Sequence, residues 1–309
     1  MTARRLRLAL LALVAAAVAW VSWPRPVGPT GGWMVRAGVA PRFVDAAGWR
    51  VRYVRAGQGP TLVLLHGFAS SLYTWSEVLP ELAREHDVVA FDFPGHGGSE
   101  LRTNLSAEDL VRATGALLDG LGVGRFDLVG HSLGGAVACV TTSQRPHQVR
   151  RLVLIDAAGF NLAPAERPAI LRALSARPAG TMDVLPLRRP AIALGLRQVF
   201  HDDSRLTPER VDEYVAPLVR PGASAALRSL MGSRDTLGVP GLVAGIRAPT
   251  LVIWGGHDRW IDVAQADRFL SAIPGSRKVV FDDCGHMPQE ERPAQVAELM
   301  REFFAPDPK

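Results

Sequence analysis

The chain has 309 residues, 48% hydrophobic and 21% charged, enough for one large domain with a sizeable core. Its two cysteines exclude a disulfide framework and a cysteine-rich zinc module. The net charge of +5 divides unevenly: residues 1–60 hold nine arginines against the single acid Asp45, so the remainder is mildly acidic, which argues against a nucleic-acid-binding domain.

Arg4, Arg5 and Arg7 precede an uninterrupted apolar run, residues 8–23, closed by Pro24-Arg25-Pro26. As a helix this run spans roughly 24 Å, close to a ~30 Å hydrocarbon core once Leu6 and a snorkelling Arg7 are added. A signal-anchor over residues 1–24 is expected. The leading arginines would stay cytoplasmic and leave the body membrane-anchored on the extracytoplasmic side. The rival is a cleaved signal peptide ending at Ala17-Val18-Ala19, which would make the body secreted or periplasmic. Residues 25–41, rich in Pro and Gly, read as a linker. Deletion of residues 1–30 is therefore expected to leave a soluble, folded body.

From residue 42 onward strands and helices alternate. Residues 42–46 and 49–55 predict a two-strand meander turned at Ala47-Gly48. TLVLLH at 61–66 is a continuous apolar run, the mark of a strand buried on both faces. A helical stretch is expected around 72–84, a strand at 87–92 and an amphipathic helix over 106–120. A buried strand at 126–131 leads into a helix over 133–144, and another strand covers 149–157. Later come a strand at 250–255, a helix near 263–272, a strand at 277–283 and a last helix near 290–304. This alternation predicts an α/β fold with a mainly parallel sheet. Residues 158–248 break the rhythm with recurrent prolines and short helical pieces at 164–174, 190–200, 207–218 and 222–232. The block leaves the C-terminal end of a strand, where open α/β sheets bind ligands, so it reads as a helical cap over the site.

Three strand ends carry the chemistry. Gly130-His131-Ser132-Leu133-Gly134 matches G-x-S-x-G directly after a strand and before a helix. Such a turn presents a serine hydroxyl above the sheet, and the two glycines keep the strand–helix crossing clear of side chains. A serine needs a base, and the base needs an orienting group. His286 follows the last strand and Asp258 the strand before it, giving the chain order Ser132, Asp258, His286. Asp156, after the strand that follows the nucleophile helix, is the rival acid.

Taken together, HGF at 66–68, DFPGHGGS at 92–99, GHSLGG at 130–135, GGHDRW at 255–260 and CGHMPQEERP at 284–293 resemble the α/β-hydrolase superfamily, in its esterase, lipase and carbon–carbon hydrolase branch. The resemblance covers roughly residues 42–305, within a hydrolase domain taken as 42–309. It implies catalysis by Ser132, Asp258 and His286, with an oxyanion hole from the backbone N–H groups of Phe68 and Leu133. It implies structural roles for His66, Asp92 and His96, and no cofactor or metal. His131 and His257 read as packing or pocket-margin residues, and Cys139 and Cys284 as non-catalytic. The expected function is a serine hydrolase of carboxylic esters, apolar or lipid-like, with the membrane as partner through the N-terminus and no nucleic acid. A carbon–carbon hydrolase of the meta-cleavage type stays open and would need basic residues in the pocket, for which Arg188, Arg189 and Arg197 are candidates. A catalytically weak ligand-binding protein on the same scaffold is the third reading.

Overall fold

The computed structural model of the protein describes residues 27–28, 30–160 and 189–305. The apolar run at 8–23 and the helical piece expected at 164–174 lie outside these residues. Among the described residues no helix is long and apolar enough to cross a membrane.

Eight strands form one sheet: β1 (Arg42–Ala46), β2 (Trp49–Ala56), β3 (Thr61–Leu65), β4 (Asp87–Phe91), β5 (Phe126–His131), β6 (Val149–Ile155), β7 (Thr250–Gly255) and β8 (Arg277–Phe281). Their order across the sheet is β1-β2-β4-β3-β5-β6-β7-β8. β1 and β2 are antiparallel, as is the β2·β4 pair, and the pairs from β4 through β8 are parallel. The meander turns at Ala47 and Gly48, both at positive φ, the backbone of a tight hairpin that follows strand twist. β5 and β7 are buried along their whole length, which explains their unbroken apolar character.

The helices, in chain order, are α1 (Gly32–Arg36), α2 (Leu79–Leu82), α3 (Ala107–Gly120), α4 (Leu133–Gln144), α5 (Arg189–Val199), α6 (Pro208–Leu218), α7 (Ala223–Ser233), α8 (Val239–Leu242), α9 (Ala264–Ala272), α10 (Pro288–Glu291) and α11 (Pro293–Phe304). α3 starts with a reciprocal capping box, Ser106 with Asp109. α5 to α8 lie between β6 and β7 and form the described part of the cap, with no strand among them.

Three expectations need correction. The stretch at 72–84 is not one helix but a 3₁₀ turn at Leu72–Trp75 followed by α2. Pro80 has no N–H to continue the ladder. The last helix is split at Arg292, at φ −131° and ψ 54°, because the residue before Pro293 is driven out of helical geometry. Residues 27–40 are not a free tether. Within α1, Trp33 and Met34 are buried, and Trp33 meets Tyr73 edge to face. The Gly28 N–H donates to Asp212 and the Gly31 N–H to Glu213, both on α6, while Arg36 pairs with Glu209 at 2.6 Å. The segment is thereby fastened to the cap.

Candidate active site

Ser132 lies between the end of β5 and the start of α4, at φ 53° and ψ −121°. A non-glycine residue at positive φ is strained and needs its surroundings to hold it. Here its N–H donates to Ile155 O at 3.0 Å, and its carbonyl accepts from Gly135 and Ala158 N–H groups, each at 2.9 Å. The crossing is so tight that a Cβ on Gly134 would lie 2.4 Å from Leu65 O and 2.5 Å from His66 O.

The other two candidates converge on the hydroxyl. His286 Nε2 is 3.0 Å from Ser132 Oγ, and His286 Nδ1 is 2.7 Å from Asp258 Oδ2. The imidazole is 3% exposed and the Asp258 carboxylate not at all. Asp258 Oδ1 accepts the backbone N–H groups of Trp260 at 2.7 Å and Ile261 at 3.0 Å, which fix the carboxylate. The Trp260 ring stacks beside His286 at 6.0 Å between centroids and 22° between planes. This chain of contacts can hold the imidazole in one tautomer and leave Nε2 to take the serine proton.

The rival acid is differently placed. Asp156 Oδ1 accepts the Gly255 N–H at 2.9 Å, while the ring nitrogens of His286 go to Asp258 and Ser132. Burial, and then the charge of Asp258, push its pKa well above the usual carboxylate range. Ligand atoms of Asp156, Asp258 and His286 lie within 4.8 Å of one another, a grouping that could hold a cation, but Asp258 and His286 already use theirs on each other.

The loop after β3 runs directly over the nucleophile. A Cβ on Gly67 would meet Ser132 Cβ at 3.0 Å and His131 Nδ1 at 2.9 Å, so only glycine lets Phe68 follow this closely. Leu133 opens α4, where N–H groups have no intrahelical acceptor. Both expected oxyanion donors therefore belong to backbone that borders Ser132. His66 braces the loop: its Nδ1–H donates to Gly67 O at 2.8 Å, and its Nε2 accepts the Phe93 N–H at 2.9 Å. Burial lowers its pKa well below the ordinary histidine value, which keeps the ring neutral for this dual role. Asp92 accepts from Leu72 N at 2.7 Å, Gly98 N at 2.8 Å and Arg52 Nε at 2.5 Å, ordering the loop after β4. His96 Nδ1 lies 2.9 Å from Pro94 O.

Four contributors carried no assignment in the sequence reading, or only a general one. His131 Nε2–H donates to the carbonyl of His286 at 2.8 Å, and burial lowers its pKa to about 3, so it stays neutral. Its place in G-x-S-x-G marked it as near the site but not as a brace for the base. Trp260 was visible only as part of GGHDRW. Val199, at the end of α5, accepts the His286 N–H at 2.7 Å through its carbonyl. Glu291 accepts Gly285 N–H at 2.7 Å and, through its second oxygen, the N–H groups of His201 and Asp202, each at 2.9 Å. The histidine loop is thus tied to the cap by backbone and carboxylate together. The cysteines are buried; burial pushes Cys139 up to about 12 and raises Cys284 as well, so both remain thiols.

The chain matches the family described as "Alpha/beta hydrolase family" over residues 62–299. It is 28% identical over 246 residues to the uncharacterized hydrolase YugF of Bacillus subtilis, covering 79% of this chain and 89% of that one. It is 31% identical over 277 residues to 2-hydroxymuconate semialdehyde hydrolase of a Pseudomonas species, covering 85% and 93%. Among solved structures, a bacterial membrane phospholipase A superposes with a TM-score of 0.76 at 26% identity, over 97% of both chains.

Proposed function

The chain belongs to the alpha/beta hydrolase family, and we propose that it is a serine hydrolase of carboxylic esters, acting on apolar or lipid-like substrates. The single observation that carries this reading is the unbroken contact chain from Ser132 Oγ through His286 to Asp258. In this mechanism His286 Nε2 takes the Ser132 proton as Oγ attacks the carbonyl carbon. Asp258 stabilises the imidazolium, and the N–H groups of Phe68 and Leu133 receive the oxyanion. His286 then gives the proton to the departing alcohol. Water, activated by the same imidazole, releases the acid from the acyl-enzyme. No residue role in this sequence calls for a cofactor or a metal.

The preference for apolar esters draws on the phospholipase similarity and on the apolar run at 8–23, which would place the body at a membrane, either anchored or, after cleavage, released. A second reading has the 31% identity to a semialdehyde hydrolase in its favour: carbon–carbon cleavage of a dienoic diketone acid. That substrate needs a cationic partner for its carboxylate. Of the cap arginines considered, Arg189 is engaged with Asp212 at 2.6 Å and Arg197 is 63% exposed beside Asp203; Arg188 lies outside the described residues.

A chain-length series of p-nitrophenyl esters, run beside a meta-cleavage substrate, tests the proposal. Turnover that rises with acyl length and is lost in Ser132→Ala supports it. Faster turnover of the diketone acid transfers the chain to the second reading. Absence of fluorophosphonate labelling at Ser132 would leave a binding protein on a hydrolase scaffold.

A further inference from the structure

Asp156 follows β6 directly, at φ 43°, in the left-handed region that aspartate and asparagine enter more readily than other non-glycine residues. Its N–H donates to Ile253 O at 3.0 Å and its Oδ1 accepts from Gly255 N–H at 2.9 Å, so backbone on β7 holds it in place. Its Oδ2 is fully buried and receives no donor. An orphaned carboxylate oxygen in the interior is costly. The nearest chemistry is the triad itself, since ligand atoms of Asp156, Asp258 and His286 fall within 4.8 Å of each other.

Two ionised carboxylates at that separation, both out of water, cannot coexist without one taking a proton. The hydrogen bonds decide which. Asp258 accepts from three donors, Trp260 N–H, Ile261 N–H and His286 Nδ1. Asp156 accepts one N–H. We propose that Asp156 is a positioning residue that keeps its proton in the working enzyme and donates it from Oδ2 as a hydrogen bond to the Asp258 carboxylate. The proton satisfies the orphaned oxygen, gives Asp258 a further donor, and holds the pair at a single negative charge. Desolvation and the Asp258 charge both act in this direction, and Glu291 on α10 adds to it. The groups around the pair are His286 and Glu291 with the thiol of Cys284, and no cation acts on Asp156 among the described interactions.

The inference rests on the triad reading, and the experiment separates the two. Using the full chain and a p-nitrophenyl ester, Asp156→Ala lowers kcat about tenfold, the size of one hydrogen bond to a charged group, at nearly constant KM. Asp156→Asn recovers most of that loss, because its amide donates to Asp258 in the same place. The acid limb of the kcat/KM profile stays put in Asp156→Asn, since replacing a neutral acid with an amide leaves the pair's charge unchanged. A fall of that limb by about one pH unit would mean a charge had been removed, and Asp156 would be ionised. Equal losses in Ala and Asn would also overturn the proposal. The infrared difference between Ser132→Ala and Ser132→Ala/Asp156→Asn needs no turnover. The carbonyl band of a buried protonated carboxyl, lost in the double variant, supports the inference even if the triad reading fails. A carboxylate band in its place refutes it even if the triad reading holds.

Discussion

The backbone N–H of His286 donates to the carbonyl of Val199 at 2.7 Å, so the candidate base hangs from the last residue of cap helix α5. The cap is therefore joined to the candidate site by backbone. That hydrogen bond ties the cap to the histidine loop, and Glu291 reinforces the tie by binding Gly285 on one side and His201 and Asp202 on the other.

That coupling predicts the behaviour of Gly285→Ala. A Cβ there would lie 2.5 Å from Val199 O and 2.8 Å from His201 N, both backbone atoms that cannot rotate aside. Either the cap or the histidine loop must shift. A displacement of about 1 Å at a reacting group costs on the order of 10²-fold in rate. Steady-state kinetics on protein shown by circular dichroism to be folded should give that loss in kcat. Wild-type turnover would mean the loop is held independently of the cap.

The triad variants should rank in a definite order. Ser132→Ala and Asp258→Asn are expected to lower kcat by about 10⁴-fold or more, with the fold retained. Asp156→Asn should be much milder. Esterase rates for the three proteins check this, and the reverse ranking of the two aspartates would move the acid of the triad to Asp156.

Buried Glu290 predicts a pH effect on stability. It sits under the cap with Thr74 Oγ1 at 2.8 Å, the Tyr214 hydroxyl as a second donor and Arg210 as an ion pair at 3.3 Å. Burial outweighs the opposing pull of Arg210 and raises its pKa to about 7 from 4.5. A carboxyl raised in the folded state favours folding below its unfolded value and loses that contribution as pH rises through the folded one. Stability contributed by this group should thus decline between about 4.5 and about 7. Glu290→Gln cannot ionise and should flatten that part of the curve in thermal melts. A curve of unchanged slope would show that Glu290 remains ionised throughout.

Two truncations separate the N-terminal segments. Removal of residues 1–26 leaves every described contact of α1 in place and should give a soluble body with the wild-type melting temperature. Removal of residues 1–40 strips Trp33 and Met34, each contributing about 1.5–3 kcal/mol by burial, and takes N–H donors from Asp212 and Glu213. The melting temperature should drop by several degrees. The full chain should stay with membranes through a high-salt wash, since apolar insertion is not screened by ions. Aggregation of the shorter truncation would mean the apolar run packs on the body.

The parallel strands and the three candidate triad residues were readable because their signals are local. A strand buried on both faces must be apolar throughout, and a nucleophile turn needs glycines around its serine. What stayed hidden depended on distant partners. Trp33 and Met34 look like linker residues until Tyr73 meets the Trp33 ring and α6, far along the chain, accepts the Gly28 and Gly31 N–H groups beside them. The Val199 carbonyl has no signature at all, because every residue carries one. His131 declared its place but not its partner, the carbonyl of His286. The breaks at 72–84 and 288–304 fall at Pro80 and Pro293, which lack the N–H that a continuous helical ladder requires.

β6 and β7 are adjacent and parallel, and the described cap helices α5 to α8 are inserted between them in the chain. Such an insertion can be exchanged among relatives without rethreading the sheet, so substrate range can change while the nucleophile turn is inherited intact. The Val199 carbonyl sets a condition on that exchange. Any transplanted cap must deliver a hydrogen-bond acceptor to the same point above Gly285, or the chimaera will keep its fold and its serine and lose the seat of its base.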